Sequence, residues 1–192
     1  MTEPVPVKAV VIGASAGAVQ ALQVILPALP ADYALPVLVV VHVPADRSNV
    51  LLPLFQAKCR IAVKEAEDKE ALVGGVIYFA PSDYHLLVET NGSLALSWDE
   101  PVNYSRPSID VLFESAADAY GSGLAGVILT GANHDGAAGL KAVMDAGGVG
   151  IVEDPVDAYA SAMPEAALEA CPSATTMKLD AIALYLSSLR TA

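Results

Sequence analysis

Four apolar runs organise the chain. Val7-Lys8-Ala9-Val10-Val11-Ile12 is β-branched and almost unbroken up to Gly13, and residues 36–41, 124–130 and 149–152 repeat that texture. A strand covered on both faces meets water on neither side, so near-continuous apolar runs of this length predict central strands of a parallel sheet. Helical periodicity fills the gaps. In residues 18–29, Leu22, Ile25, Leu26 and Leu29 recur at three- and four-residue spacing until Pro27 and Pro30 end the run. Residues 50–55 form a second apolar segment. In residues 109–120, Ile109, Leu112, Phe113, Ala116, Ala117 and Tyr120 share one face, with Ser108 the expected N-cap after Pro107. Residues 136–146 predict a further helix stopped by Gly147-Gly148, and residues 179–189 a closing one.

Between residues 61 and 98 the texture changes to short strands with turn signals. The Asn91-Gly92 pair between Leu86-Leu87-Val88 and Leu94-Ala95-Leu96 predicts a β-hairpin. The alternation of buried strand and helix therefore gives an α/β fold: an open, doubly wound, mostly parallel, Rossmann-like sheet with helices on both faces and an antiparallel β-hairpin insertion near the middle. Glycines and prolines are scattered rather than pooled in a linker, so residues 1–192 are expected to form a single domain.

Charge narrows the partners. With 22 acidic against 10 basic residues the formal net charge is −12, a field that repels phosphate backbones and argues against nucleic acid. The two cysteines, Cys59 and Cys171, are far apart and outside any metal-ligand spacing, as expected of reduced thiols. No apolar stretch approaches the roughly 20 residues of a membrane helix, and the first is too short for a signal-peptide core. A cytoplasmic chain without membrane insertion is the expectation.

Ligands of open α/β sheets bind at the carboxyl ends of the strands, so the residues after each buried run are the ones to inspect. The first run ends in Gly13-Ala14-Ser15-Ala16-Gly17, the second in His42 and the third in Asn133-His134-Asp135-Gly136. G-x-S-x-G between a strand and a helix exposes a serine on a sharp turn, and the helix start supplies unpaired N–H groups for a developing oxyanion. Serine needs a base and the base needs an orienting carboxylate, which makes Ser15, His42 and Asp135 a candidate catalytic triad. Each residue also has a plainer reading: a tight βα connection for the pentapeptide, a core or capping role for His42, and a cap on the helix starting at Gly136 for Asp135. The chain order Ser, His, acid differs from the Ser, acid, His order of α/β-hydrolases. His134 is expected at the surface or rim, His85 in a structural or exposed role, Ser108 and Asp110 as caps, and Arg106 as a candidate substrate contact. A dinucleotide site is disfavoured, since Ser15 stands where G-x-G-x-x-G needs its second glycine.

Several ordered blocks carry a family resemblance: Val11-Ile12-Gly13-Ala14-Ser15-Ala16-Gly17, His42-Val43-Pro44, Ala80-Pro81, His85-Leu86-Leu87-Val88, Arg106-Pro107-Ser108-Ile109-Asp110-Val111-Leu112-Phe113, Leu129-Thr130-Gly131, Asp135-Gly136-Ala137-Ala138-Gly139-Leu140 and Met163-Pro164. Together they resemble the catalytic domain of CheB, the chemotaxis protein-glutamate methylesterase. The resemblance implies hydrolysis of glutamyl methyl esters on the cytoplasmic helices of methylated chemoreceptors or on another methylated protein. It also implies glutamine deamidation as a second activity and no metal or cofactor. The family's serine, histidine and aspartate fall on Ser15, His42 and Asp135, and the backbone N–H groups of Ala16 and Ala132 are candidate oxyanion donors.

Two departures from the family pattern stand out. Ser15-Ala16-Gly17-Ala18 replaces Ser-Thr-Gly-Gly, and Thr130-Gly131-Ala132-Asn133-His134-Asp135-Gly136 replaces Thr-Gly-Met-Gly-x-Asp-Gly. Ala132 and Asn133 motivate an alternative, a catalytically weakened binding module of the same fold that docks on receptor or signalling proteins. No receiver domain is recognised in the sequence, so regulation is expected from a separate domain or partner, if at all.

Overall fold

The computed structural model describes residues 6–42 and 48–189. Strands β1 (Ala9–Ala14), β2 (Val37–Val41), β3 (Ala62–Glu65), β4 (Val76–Phe79), β7 (Leu124–Ile128), β8 (Val149–Glu153) and β9 (Thr175–Met177) form one sheet in the order β3-β4-β2-β1-β7-β8-β9. Every pairing in it is parallel. Strands β5 (His85–Val88) and β6 (Leu94–Ser97) form the separate antiparallel hairpin. The mixed texture of residues 61–98 therefore divides: β3 and β4 extend the main sheet, and the antiparallel insertion is the hairpin alone.

Side chains alternate across β1 and β2 as the pleat requires. Val10, Ile12, Val37 and Val39 enter one core with helices α1 (Ala18–Ile25), α2 (Ser48–Lys58) and α6 (Leu179–Ser188). Ala9, Val11, Leu38 and Val40 enter the other with α3 (Ile109–Tyr120), α4 (Ala137–Asp145), α5 (Ala162–Ala170) and the hairpin. Strands apolar on both sides are thus explained by two cores. The α5–β9 unit was not anticipated: β9 is three residues long and mostly exposed, so it lacks the apolar run that marked the others.

The topology fixes where a site can form. From β1 the chain moves to β2 and outward, then returns to β7 on the opposite side of β1. Connections diverge above β1 and β7, and their carboxyl ends border the crevice that such a switch point leaves open. Register brings the candidate residues there: Ala14 pairs with Val41, so Ser15 and His42 are the next residues on adjacent strands, and the His42 N–H donates to Ala14 O at 3.1 Å. The Ser15 N–H donates to Thr130 O at 2.9 Å, which anchors the serine turn to the end of β7.

Candidate active site

The two glycines of the serine turn have separate reasons. A Cβ on Gly13 would collide with Ile109 at the start of α3, so glycine permits that helix to approach β1. Gly17 is in the left-handed region, φ 86°, and an added Cβ would come within 2.7 Å of Tyr159. Thr130 ties the turn down, its hydroxyl donating to Ala16 O at 2.8 Å and accepting the Ala160 N–H at 2.9 Å. The Thr130 N–H donates to the buried Glu153 carboxylate at 2.7 Å, and burial pushes that carboxyl up from its ordinary range. Ser15 is half-buried, and its hydroxyl makes no hydrogen bond among the described residues. The N–H groups of Ala16 and Ala132 likewise donate to nothing among them.

Asp135 is fully buried and saturated with donors. Its Oδ1 accepts from Asn103 Nδ2 at 2.8 Å, Ser108 Oγ at 2.8 Å and the Asp110 N–H at 3.2 Å. Its Oδ2 accepts from the Ile109 N–H at 2.6 Å and from His42 Nε2 at 2.8 Å. Asp135 therefore caps α3, where peptide N–H groups lack intrahelical partners and the helix dipole favours an anion. The plainer reading, that it caps the helix after Gly136, is not what the structure shows. Asp110, from the first turn of α3, does that instead, its Oδ1 accepting the Gly136 and Gly139 N–H groups at 3.0 and 2.6 Å. Each helix start thus borrows its carboxylate from the other segment. Ser108 occupies the N-cap position of α3 but makes no side-chain cap; its hydroxyl is committed to Asp135.

The same network fixes the histidine. A carboxylate only accepts, so His42 Nε2 must carry the proton it donates to Asp135. Nδ1 is then an acceptor, and Asn133 Nδ2 donates to it at 3.2 Å. The Asn133 amide cannot be reversed, because its Oδ1 accepts the Asp135 N–H at 3.1 Å. No hydrogen bond joins Ser15 Oγ to His42.

The remaining expected residues fall out as follows. His134 is exposed. His85 is buried, accepting the Ser108 N–H at Nδ1 (3.1 Å) and donating from Nε2 to Glu100 O (3.0 Å), a structural role. Arg106 lies 4.6 Å over the Trp98 ring and donates to the Trp98 and Asp99 carbonyls, holding its own loop. Cys59 and Cys171 are free thiols. Val43 and Pro44 lie outside the described residues. Asn103 was missed: it bridges Asp135 and Asp110 through Nδ2, at 2.8 and 2.7 Å, and nothing in its local sequence pointed to either.

Comparison with known proteins gives the family and the fold. The family model for CheB methylesterase matches residues 10–186. The chain belongs to that family. A crystal structure of the Thermotoga maritima CheB methylesterase catalytic domain superposes with a TM-score of 0.91 at 34% identity, covering 97% of this chain and 100% of the other. A Leptospira interrogans relative is 45% identical over 176 residues, 92% of this chain and 91% of its own length. The Archaeoglobus fulgidus protein-glutamate methylesterase/protein-glutamine glutaminase is 40% identical over 163 residues, 83% of this chain but 47% of its own length. This CheB-family chain thus spans about half of that relative and nearly all of the Leptospira one. Among the described residues no helix is long and apolar enough to cross a membrane.

The CheB-family carboxylate carries a pH signature. Burial works to raise the Asp135 carboxyl, but hydrogen bonds from His42, Asn103, Ile109 and Ser108 outweigh it and bring it from 3.8 to about 2. A carboxyl depressed in the folded state contributes stability that is present above its unfolded value and lost as pH falls through the folded one. That contribution, about 2 kcal/mol, should drain away between about pH 4 and pH 2. Asp110 and Glu153, both raised by burial, act with the opposite sign. Urea unfolding at stepped pH should therefore show the stability gap between wild type and Asp135→Asn shrinking below pH 4; a constant gap would refute the assignment.

Proposed function

We propose that the chain is a serine carboxyl-ester hydrolase that demethylates glutamyl methyl esters on chemoreceptor cytoplasmic helices and deamidates glutamine at equivalent positions. The triad is Ser15, His42 and Asp135. The observation that carries the reading is the 2.8 Å bond from His42 Nε2 to the buried Asp135 carboxylate in the loop between β7 and α4. It leaves Nδ1 as the base and the Asp135 anion to stabilise the imidazolium that forms.

The Ser15 Oγ–H proton passes to His42 Nδ1 as Oγ bonds to the ester carbonyl carbon and the carbonyl pair moves onto oxygen. The N–H groups of Ala16 and Ala132, which donate to nothing among the described residues, are suited to receive that charge. Collapse expels methanol, which takes the proton from Nδ1. Water then attacks the acyl-enzyme, giving its proton to Nδ1, and the serine recovers it as the glutamyl carboxyl departs. With glutamine the first leaving group is ammonia. No step needs a metal or cofactor.

The test is methanol release from a methyl-esterified receptor fragment by the purified chain, paired with fluorophosphonate labelling. Turnover with stoichiometric modification at Ser15 is expected. Receptor binding with neither turnover nor labelling would favour the second reading, a docking module with weakened chemistry, which the Asn133 amide on the base nitrogen motivates.

A further inference from the structure

The Asn133 side chain is the feature that the reaction above does not use and in fact contradicts. Its amide donates to His42 Nδ1, the lone pair that must accept the proton of Ser15. The Asp135 N–H holds the amide in that orientation from the other side. Both ring nitrogens of His42 are therefore engaged, one by the carboxylate and one by the carboxamide, and neither by the serine. A second consequence follows from donor and acceptor inventory alone. The contact is available only to an imidazole bare at Nδ1; once Nδ1 carries a proton, two donors face each other.

We propose that Asn133 is a positioning residue that latches the imidazole in its resting, Nε2-protonated tautomer, and that its amide must leave Nδ1 before Ser15 can be activated. This rests on the triad reading above. The latch keeps the ring aligned between substrate encounters and makes the free chain a slow nucleophile. Release needs only rotation of one short side chain, and a polar group of an arriving substrate that accepts from the Asn133 amide would draw it off. Asn133 stands in the loop between β7 and α4, two residues before Asp135, so one short segment carries both groups that hold the imidazole.

Two variants separate the latch from the loop. Asn133→Gly removes the side chain. Asn133→Ser keeps a short oxygen acceptor for the Asp135 N–H, as serine does in such turns, while withdrawing the donor from Nδ1. Breaking one neutral hydrogen bond before the chemistry slows it by roughly fivefold, so fluorophosphonate modification of Ser15 should run about five times faster in Asn133→Ser at an unchanged melting temperature. In nitrogen-15 spectra of the histidine rings, the His42 Nδ1 resonance should move toward that of a free lone pair in both variants, a change that a merely structural role would not produce. Labelling that is unchanged or slower in a folded Asn133→Ser, or an unmoved Nδ1 resonance, overturns the proposal. Failure of wild type and both variants to label at all would instead defeat the triad reading, while a shifted Nδ1 signal would still uphold the Asn133 contact.

Discussion

Ser15→Ala should lower methanol release by about 10⁵- to 10⁶-fold while leaving the protein as stable as before. The rate loss is the scale seen when the nucleophile of an acyl-transfer triad is deleted, leaving only binding and oxyanion stabilisation. The unchanged stability has its own reason: the Ser15 hydroxyl bonds to nothing among the described residues, and the backbone bonds that hold the turn, Ser15 N–H to Thr130 O and Ala18 N–H to Ser15 O, do not involve it. Deleting it strands no buried partner, so the change in unfolding free energy should stay within about 0.5 kcal/mol. Steady-state methanol release and thermal melting of the same preparation check both halves. A variant that retained a hundredth of the wild-type rate would remove Ser15 from the mechanism.

Asp135→Ala should do what Ser15→Ala does not, and destroy rate and stability together. The truncation leaves the Ile109 and Asp110 N–H groups, the Ser108 hydroxyl, one hydrogen of the Asn103 amide and the His42 Nε2–H without their acceptor, all at a buried helix start. Stranding partners of a buried charge costs about 3–5 kcal/mol. For a domain of this size that is a fall in melting temperature of roughly 10 °C. Asp135→Asn separates the two effects. It preserves volume and an acceptor oxygen, so the loss of stability should be smaller, yet a neutral amide cannot stabilise an imidazolium and the rate should still fall by about 10⁴-fold. Calorimetry beside methanol release distinguishes them, and an Asp135→Ala protein melting with wild type would mean that α3 does not depend on this cap.

The contrast between these two residues also explains what was legible in the sequence. Strand and helix identities follow from apolar periodicity, which is local: β1, β2, β7 and β8, the amphipathic α3 and the Asn91-Gly92 hairpin all declare themselves this way. Short or exposed elements such as β3 and β9 lack that signal, and their place in the main sheet is decided by neighbours distant in the chain. The site follows the same division. That Ser15 and His42 directly follow two buried strands, and that Asp135 stands in the loop after a third, is readable, and so is their placement at one edge once a parallel sheet is assumed. What could not be read is the exchange of caps, because a spacing rule pairs Asp135 with the helix that follows it and Ser108 with the helix it precedes. The carboxylates of Asp135 and Asp110 cross over instead, and Asn103 spans them both. Asn133 was visible only as a departure from a pattern; its contact with His42 depends on a side-chain direction that no spacing encodes.

The crossing of the two carboxylates has a mechanical corollary. A helix end that caps itself can fray on its own, but the first turn of α3 and the residue just before the N-cap of α4 each supply the anion that the other helix start requires. Neither can unwind without stripping its neighbour, so the two should open as one unit, at a shared free energy well above that of ordinary termini. The rim that carries the imidazole's partner is thereby braced from both sides, and rigidity there comes with the packing of the fold rather than being added on top of it.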